Sequence, residues 1–370
     1  MEYSSNIIEI AKRNHNIKRH YLLVNKLQGK HIPVKPSVSL EMMNTFGKQL
    51  YNKYPDANLI IGFAETATAI GAAVASHFNA TYITTTREEI GAYENRICFE
   101  EEHSHAVDQM LYIDKIKSCI DSITTIILVD DELSTGKTMK NIVEAMIKVI
   151  PEIKDKKIIA ASILNRMSDE NIKILKDAGI TCEWLIKTEN VSYEDLVRSY
   201  DTTDPIVVNS RETDNIIEII DRNGSIPDVR VGVHSKYYST ACAEQTFNLL
   251  DDYQIDKLKY KKVAVIGTEE CMYPAIIFGK RLASNKINVL THSTTRSPIS
   301  ISTDDNYPIY NGYKIHSFYD KSRNTFLYNL KDYDIVFVCT DTNAKYSTIR
   351  KAAEDVAKIT HCNKLYVIRY

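Results

Sequence analysis

The chain has 370 residues, which is enough for two domains that each bury a core of their own. Its 46 basic and 48 acidic side chains give a net charge of −2, so no overall charge draws it to nucleic acid or to an anionic membrane. The most apolar stretch, residues 59–75, contains Glu65 and is too short to span a bilayer. Seven cysteines without a CxxC pair, and a start that lacks a basic-then-apolar signal, are typical of a reduced cytoplasmic protein.

The first informative segment, residues 58–69, is predicted to be an apolar strand that runs into a turn of small residues. A helix of small residues follows over 70–78. Small side chains let backbone amides approach a ligand closely, so the turn can hold an anion such as pyrophosphate. Its residues are Ala64, Glu65, Thr66, Ala67 and Thr68. Small residues are equally typical of a helix that packs tightly on a sheet.

The next predicted strand, residues 81–86, ends at Arg87, whose planar guanidinium suits phosphate oxygens. The loop beyond it carries His103 and His105. In an extended chain these two side chains share a face, because residues two apart in a strand point to the same side. They could assist a leaving group, act as acid–base groups or bind a metal. They are equally consistent with a solvated acidic loop.

The most informative segment is residues 126–138. Four aliphatic residues, 126–129, predict a strand that is buried on both faces of a parallel sheet. Asp130 and Asp131 follow at its exit, a hydroxyl-rich turn comes next, and Met139 to Val149 reads as a helix. The N-terminus of a helix attracts phosphate, and neighbouring carboxylates accept hydrogen bonds from sugar hydroxyls. The segment therefore predicts a sugar-phosphate site.

Three other interpretations compete for the same residues. Gly136-Lys137-Thr138 ends like a nucleotide P-loop, but Asp131 stands where that motif needs a glycine, and a carboxylate there would repel phosphates. Phosphoacceptor receiver domains also carry an acidic pair, but they begin with it, whereas here a strand–helix unit comes first. A purely structural strand with solvated acids and a capped helix is the third interpretation.

The segment 126–138 resembles the signature of type I phosphoribosyltransferases, in which two acids and a Thr-Gly-x-Thr turn follow an apolar strand. The resemblance implies that Asp130 and Asp131 hold the ribose hydroxyls of phosphoribosyl pyrophosphate. Glu132 stands where the family usually has an aliphatic residue. The implied substrate-binding residues continue through Glu132, Leu133, Ser134, Thr135, Gly136, Lys137 and Thr138, with the turn holding the 5′-phosphate.

The same resemblance assigns roles to the earlier segments. Residues 64–68 would contact pyrophosphate. In members similar to orotate phosphoribosyltransferase, a basic residue opens a mobile loop that closes over the site, so Arg87 would be a pyrophosphate clamp. Arg87, His103 and His105 thus join the acidic pair as candidate catalytic residues. Mg²⁺ would be held mainly through the substrate, near the acidic pair.

The first domain is predicted to cover residues 1–200, with further strands over 158–164 and 182–186. In this fold a variable hood covers the acceptor base. Trp184, Arg166 and Tyr193 are candidates for it, although a lone tryptophan on a strand is more often a core residue. A linker over 201–227 follows, with one short helix over 214–220.

The second domain is predicted to cover residues 228–370 as another parallel sheet. Its predicted strands are 263–266, 287–290, 334–338 and 365–368, and its predicted helices are 274–283, 325–330 and 344–356. Polar residues follow three of these strands, and the carboxyl ends of parallel strands meet at one edge of a sheet. They predict an anion-binding pocket, or alternatively helix caps, built from Glu269, Glu270, Thr294, Thr295, Arg296, Ser297 and Asp341.

Residues 295–298 resemble the motif that names the TRSP domain, which occurs behind a phosphoribosyltransferase, and residues 267–274 resemble that domain's other signature. Such fusions are associated with tellurium-resistance and stress-response gene clusters, which would supply partner proteins. The implied fold class is α/β: a type I phosphoribosyltransferase parallel-sheet domain followed by a second, Rossmann-like α/β domain.

The implied function is transfer of ribose 5-phosphate from phosphoribosyl pyrophosphate to a small base-like acceptor. Two alternatives remain open: a non-catalytic regulator that senses phosphoribosyl pyrophosphate or a nucleotide, and the reverse reaction on a nucleotide. The resemblance is compatible with a homodimer, and neither nucleic acid nor a membrane is expected as a partner.

Overall fold

The computed structural model describes residues 3–14, 19–99, 109–208, 215–252 and 258–370. Within them the helices are α1 Pro36–Lys53, α2 Thr68–Ala75, α3 Asp114–Cys119, α4 Lys137–Val149, α5 Asp169–Asp177, α6 Glu194–Ser199, α7 Ser235–Asp252, α8 Tyr273–Ser284 and α9 Tyr346–Thr360. The strands are β1 Ile8–Lys12, β2 Tyr21–Asn25, β3 Ala57–Gly62, β4 Thr81–Thr84, β5 Arg96–Phe99, β6 Gln109–Tyr112, β7 Thr125–Leu133, β8 Lys157–Asn165, β9 Ile180–Lys187, β10 Ile206–Val207, β11 Ile216–Asp221, β12 Val233–His234, β13 Lys262–Gly267, β14 Asn288–Ser293, β15 Gly312–His316, β16 Asn324–Tyr328, β17 Ile335–Thr340 and β18 Lys364–Arg369. None of the helices in these ranges is both long enough and apolar enough to cross a bilayer.

Contacts between residues divide the chain into two compact units, each assembled from three segments. Unit 1 contains the described residues of Met1–Ser5, Met42–Val191 and Pro227–Thr240. Unit 2 contains those of Asn6–Glu41, Ser192–Ile226 and Ala241–Tyr370. The domain limits at 200 and 228 are drawn along the sequence rather than by contacts, and they stay a prediction.

Unit 1 is built on a six-stranded sheet in the order β12-β4-β3-β7-β8-β9. Every pair is parallel except the edge pair of β12 with β4. The central strand β7 is buried from Thr125 to Val129, because a strand with neighbours on both sides and helices on both faces excludes water. Helix α4 buries Met139, Ile142, Val143 and Met146 along one face. The predicted strand and helix around the acidic pair are confirmed.

A short hairpin adjoins this sheet. Strands β5 and β6 pair antiparallel, and Thr86, just beyond β4, exchanges two backbone hydrogen bonds with Met110 of β6 at 2.9 and 2.8 Å. The predicted loop histidines, His103 and His105, lie outside the described residues.

Unit 2 contains a five-stranded, fully parallel sheet in the order β11-β18-β17-β13-β14. Its core includes the apolar faces of α8 and α9, on which Phe278 and Val356 are buried. A second parallel sheet is thus confirmed, whereas its assignment as Rossmann-like stays a prediction. A small sheet, β10-β15-β16, completes the strands of this unit together with the hairpin β1–β2.

The β1–β2 hairpin packs inside unit 2, although it lies far away in sequence. Ala11 and Val24 share a buried cluster with Ile299, Tyr307 and Tyr328. The backbone amide of Lys12 donates to the Tyr307 hydroxyl at 2.9 Å. The first strands of the chain are therefore part of the core of unit 2.

Two predicted helices are wrong. Residues 216–221 form β11, at the edge of the five-stranded sheet, and residues 324–328 form β16. The first segment is rich in isoleucine, whose branched Cβ favours strands. In the second, Thr325 and Leu327 are buried while Phe326 between them is partly exposed, which is the period of two of a strand.

Candidate functional site

Three predicted site segments meet at one edge of the unit 1 sheet. Strands β4, β3 and β7 are adjacent and parallel, and Gly62 of β3 lies opposite Thr84 of β4 and Val129 of β7. Strands β3 and β4 end at this level, whereas β7 continues to Leu133, and Phe63 donates its amide to the Val129 carbonyl at 2.9 Å. Arg87 and the loop 64–68 follow the ends of β4 and β3, and the segment 130–138 begins at the same level within β7.

The acidic pair lies where β7 emerges from the core. Asp130, Asp131 and Glu132 are half-buried, whereas the five residues before them are buried. The backbone amide of Asp131 donates to the Asp130 carboxylate at 2.9 Å. The carboxylates are thus at the surface end of a rigid central strand, which is a precise place from which to bind a ligand.

The turn after the acidic pair is shaped by Gly136. This residue has φ of 77°, in the left-handed region, and directly precedes α4. A Cβ at this position would lie 2.6 Å from Leu175 Cδ1 and 2.9 Å from Met167 Sδ, so a side chain here would displace both of these buried residues. The turn therefore leads tightly into the N-terminus of α4, where backbone N–H groups and the helix dipole favour an anion.

The small-residue loop is held by a buried network that the sequence analysis did not anticipate. The Ala64 amide donates to Thr85 Oγ1 at 2.8 Å, and Gln109 Nε2 donates to the Ala64 carbonyl at 2.6 Å. The Thr85 hydroxyl in turn donates to Gln109 Oε1. Thr85 and Gln109 are buried, so both backbone groups of Ala64 are fixed away from water. The peptide bond between Ala64 and Glu65 is cis.

Glu132, which follows the acidic pair, forms an ion pair with a buried arginine. Arg166, just beyond β8, has a side chain that is only 1% exposed, and its Nη1 lies 3.3 Å from Glu132 Oε1. It also donates to the Asn190 side chain at 3.5 Å and to the Val191 carbonyl. A charge this deeply buried needs such partners, and Glu132 supplies the negative charge among them.

Arg87 is half-buried three residues beyond β4. The candidates for the hood are dispersed. Trp184 is half-buried on β9, and its carbonyl accepts a hydrogen bond from Gln49. Tyr193 belongs to unit 2, where its ring meets Tyr21 at a centroid distance of 5.5 Å. Among the residues that the structure describes, no group of three or more His, Cys, Asp or Glu side chains converges on a point that could hold a metal ion.

In unit 2 the three predicted polar clusters also leave neighbouring strand ends. Gly267 of β13 pairs with Ser293 of β14 and with Cys339 of β17, so the exits of these strands are level. Arg296 Nε lies 2.5 Å from Glu269 Oε2, which joins two of the clusters directly. Asp341 accepts a hydrogen bond from the Tyr319 hydroxyl, whose oxygen also lies 3.2 Å from the Thr268 carbonyl oxygen.

The sheet of unit 1, with an acidic pair followed by a glycine turn and a helix, has the organisation of the type I phosphoribosyltransferase fold class. The chain belongs to the phosphoribosyl transferase family, whose model matches residues 7–192, just over half of the 370 residues. A model of the TRSP domain, described as C-terminal to that family's domain, matches residues 229–356.

Solved structures give more distant likenesses. An APRTase from Giardia lamblia, complexed with 9-deazaadenine, is 14% identical over 50% of this chain and 95% of its own, with a TM-score of 0.36. The adenine phosphoribosyltransferase from Saccharomyces cerevisiae is 12% identical over 49% and 95%, with a TM-score of 0.33. That from Leishmania tarentolae is 17% identical over 42% and 73%, with a TM-score of 0.31. Likenesses at this level carry no argument about chemistry. A comparison with curated proteins gave no match.

Proposed function

We propose that the chain is an enzyme that transfers ribose 5-phosphate from phosphoribosyl pyrophosphate to a small base-like acceptor, with release of pyrophosphate. The observation that carries the proposal is that the loop 64–68, Arg87 and the segment 130–138 all begin at the same edge of three adjacent parallel strands. Those three segments supply an amide-rich loop, a guanidinium and an acidic pair with a glycine turn. A sugar that carries phosphate groups at both ends needs this set of partners.

In the proposed reaction the bond from C1 of the ribose to the pyrophosphate oxygen breaks, and the oxygen leaves with the electron pair. A bond forms from C1 to a nitrogen of the acceptor, which gives up its proton. Because C1 becomes cationic while negative charge develops on pyrophosphate, the protein acts mainly by electrostatics and positioning. The carboxylates of Asp130 and Asp131 would hold the 2′- and 3′-hydroxyls. The turn at Gly136 would hold the 5′-phosphate, and Arg87 and the loop 64–68 the departing pyrophosphate.

The residues present fit Mg²⁺ that is held mainly through the substrate. The exit of β7 offers two adjacent half-buried carboxylates, Asp130 and Asp131, and Mg²⁺ is commonly bound by one or two carboxylates together with substrate phosphates. When bound, the ion would neutralise the charge of the pyrophosphate. The seven free thiols support a reducing, cytoplasmic location.

The test is turnover. The purified full chain is incubated with Mg²⁺, phosphoribosyl pyrophosphate and a panel of purine and pyrimidine bases, and acceptor-dependent release of pyrophosphate is measured. We expect release with at least one base. Tight binding of phosphoribosyl pyrophosphate without release for any acceptor would favour a sensor instead of an enzyme. Release of phosphoribosyl pyrophosphate from a nucleotide and pyrophosphate would indicate the reverse direction.

The variant that tests the site is the double substitution Asp130→Asn and Asp131→Asn. Both carboxylates are half-buried at a strand exit, so their loss opens no core cavity and the melting temperature should stay within a few degrees. Transfer should fall below detection, because neutral amides neither stabilise the cationic C1 nor accept two hydroxyl hydrogen bonds as strongly. The matched control is Asp169→Asn with Glu170→Gln in the first turn of α5. Full activity in the first double variant would contradict the proposed site.

A further inference from the structure

The carboxyl edge of the unit 2 sheet is organised around one buried carboxylate. Glu269, at the exit of β13, is 1% exposed and has φ of 46°, a conformation that non-glycine residues rarely adopt. Gly267, two positions upstream, could not carry a Cβ, which would lie 2.5 Å from the Cys271 carbonyl oxygen. The turn is thus built tightly to bring this carboxylate to the sheet edge.

Two guanidinium groups meet on the same oxygen of that carboxylate. Arg296 Nε is 2.5 Å and Arg323 Nη2 is 3.0 Å from Glu269 Oε2. The other oxygen, Oε1, accepts from the Ser317 hydroxyl at 2.6 Å. The carboxylate therefore holds two guanidinium groups side by side.

The exposed fractions of the three side chains show which of them faces solvent. The Glu269 side chain is 1% exposed, whereas those of Arg296 and Arg323 are 13% and 24% exposed. The acid consequently lies beneath and the two guanidiniums reach towards solvent. Planar guanidinium groups bind phosphate oxygens through paired N–H donors, so two of them held together on a sheet edge suit a phosphate group.

A third cation lies below the pair, and it comes from a distant part of the sequence. Lys30 is 1% exposed, and its Nζ donates to the carbonyls of Glu269 at 2.9 Å and Thr294 at 3.0 Å. It thereby ties the exits of β13 and β14 together. Burying charges is costly compared with packing apolar side chains of similar volume, so packing alone is a poor reason for this cluster.

Acidic side chains at the same edge supply hydrogen-bond acceptors. Asp341, beyond β17, is half-buried and accepts from the Tyr319 hydroxyl at 2.5 Å. The Tyr319 amide donates to Ser317 Oγ at 3.1 Å, and that hydroxyl is the one bonded to Glu269. One chain of hydrogen bonds thus connects the carboxylate of Asp341 with the guanidinium cluster. Glu270, 9% exposed, adds a second acid at the exit of β13.

We propose that this edge binds a phosphate monoester of a hydroxylated small molecule, with its phosphate on Arg296 and Arg323 and its hydroxyls on Asp341. The position agrees with the general rule that open parallel sheets bind ligands outside the carboxyl ends of their strands. The site lies wholly within unit 2 and does not depend on the transfer reaction proposed for unit 1.

The experiment must separate this site from the one in unit 1, which is also expected to bind phosphate. Arginines of the full-length protein are modified with phenylglyoxal, and the rate at each residue is read from peptide masses. Saturating ribose 5-phosphate should slow modification of Arg296 and Arg323 at least severalfold. Arg350, which is 49% exposed on α9, is the internal control and should react at the same rate with and without the ligand. If ribose 5-phosphate leaves the modification rates of Arg296 and Arg323 as unchanged as that of Arg350, the proposal is overturned.

Calorimetric titration of the same protein tests the proposal by stoichiometry. The loss of one charged hydrogen-bonding partner should weaken binding in unit 2 by about tenfold to hundredfold, so Arg296→Gln should lose one class of ribose 5-phosphate sites. Lys358→Gln removes one charge from the exposed last turn of α9 and should retain every class. Arg296→Lys keeps a positive charge beside Glu269, so this variant should remain folded. Because lysine lacks the planar guanidinium, the variant should nevertheless bind ribose 5-phosphate more weakly than the wild type does. Identical isotherms for the wild type and both Arg296 variants would contradict the site, and inorganic phosphate binding as tightly as ribose 5-phosphate would remove the role of Asp341.

Discussion

At the scale of single residues, Gln109 connects two parts of the unit 1 site. It comes from β6, in the hairpin next to the sheet, and its side-chain amide donates to the Ala64 carbonyl while accepting from Thr85. Because the amide of Ala64 is also bonded to Thr85, the conformation of the loop 64–68 depends on two side chains from outside it. Gln109 is therefore a positioning residue for the proposed pyrophosphate site.

Replacing Gln109 by methionine removes both hydrogen bonds and keeps the volume. Leaving buried partners unsatisfied should lower the free energy of unfolding by about 1–3 kcal/mol. A loop that is no longer fixed should also bind its anion less well, so we expect KM for phosphoribosyl pyrophosphate to rise about tenfold, equivalent to about 1.4 kcal/mol, with a smaller change in kcat. Steady-state kinetics with the acceptor found for the wild type measures both constants.

The control is Gln49→Met. Gln49 donates to the Trp184 carbonyl at 2.9 Å, so this substitution also removes a hydrogen bond from a glutamine to a main-chain carbonyl. It should reduce stability and leave KM unchanged. If both variants change KM equally, Gln109 acts only through stability.

At the scale of elements, the entry into α4 depends on Gly136 for two separate reasons, backbone conformation and space. Gly179 shares the first reason only: its φ is 80°, and a Cβ there would meet no atom within 4 Å. Gly136→Ala and Gly179→Ala therefore both pay about 1–2 kcal/mol for a left-handed alanine. Gly136→Ala should lose about 1–3 kcal/mol more, because its Cβ would overlap Leu175 and Met167.

Urea unfolding of the two variants measures this difference. Gly136→Ala should also weaken binding of phosphoribosyl pyrophosphate, by up to roughly 100-fold, whereas Gly179→Ala should bind it as the wild type does. Equal stability losses with unchanged affinity in both variants would count against the turn as a phosphate site.

The elements that the sequence predicts well are those with a strong local signal. The aliphatic run 126–129, bounded by an acidic pair and a glycine turn, favours a strand buried on both faces, and the amphipathic pattern after it favours α4. Residues 325–330 were harder, because an apolar run of this length fits a helix as well as a strand. Pairing with strand β15 stabilises the extended conformation of this segment, and the residues of the segment alone do not indicate that pairing.

The geometry within the sites depends on pairs that sequence spacing does not reveal. Adjacent parallel strand ends could be anticipated, and they bring Arg296 to Glu269. The partnership of Lys30 with the Glu269 carbonyl spans 239 positions, and only the completed fold brings these residues together. Nothing in the sequence around Lys30 distinguishes it from the other lysines.

At the scale of the whole molecule, one buried histidine makes stability depend on pH. Burial lowers the pKa of His292, on β14, from 6.5 to about 3, and the nearby charge of Lys30 acts in the same direction, while the polar backbone of His31 opposes both. The unfolded chain therefore takes up a proton near pH 6.5 that the folded protein does not. Stability is complete above that pH and declines as the pH falls towards 3.

Between pH 7 and pH 5 this single histidine should remove about 2 kcal/mol from the free energy of unfolding. The measurement is urea unfolding at both pH values for the wild type and for His292→Asn. The difference in the free energy of unfolding between pH 7 and pH 5 should be about 2 kcal/mol smaller in the variant than in the wild type. The control His361→Asn changes an exposed histidine and should keep the wild-type difference. An unchanged difference in His292→Asn would show that the buried ring does not control the acid response.

The membership of the β1–β2 hairpin in unit 2 has a consequence for how the protein is made. Lys12 and Tyr307 are hydrogen-bonded across 295 positions, and β11 pairs with β18, so unit 2 needs strands from both early and late parts of the chain. During translation, β1 and β2 are synthesised before residues 42–191, and their partners in unit 2, at residues 299–328, emerge only after that segment. Closing such a long loop is slow but adds little to the equilibrium cost, since loop entropy grows only with the logarithm of length. The segment 42–191 can thus begin to fold before unit 2, whose sheet is incomplete until β18 has been synthesised.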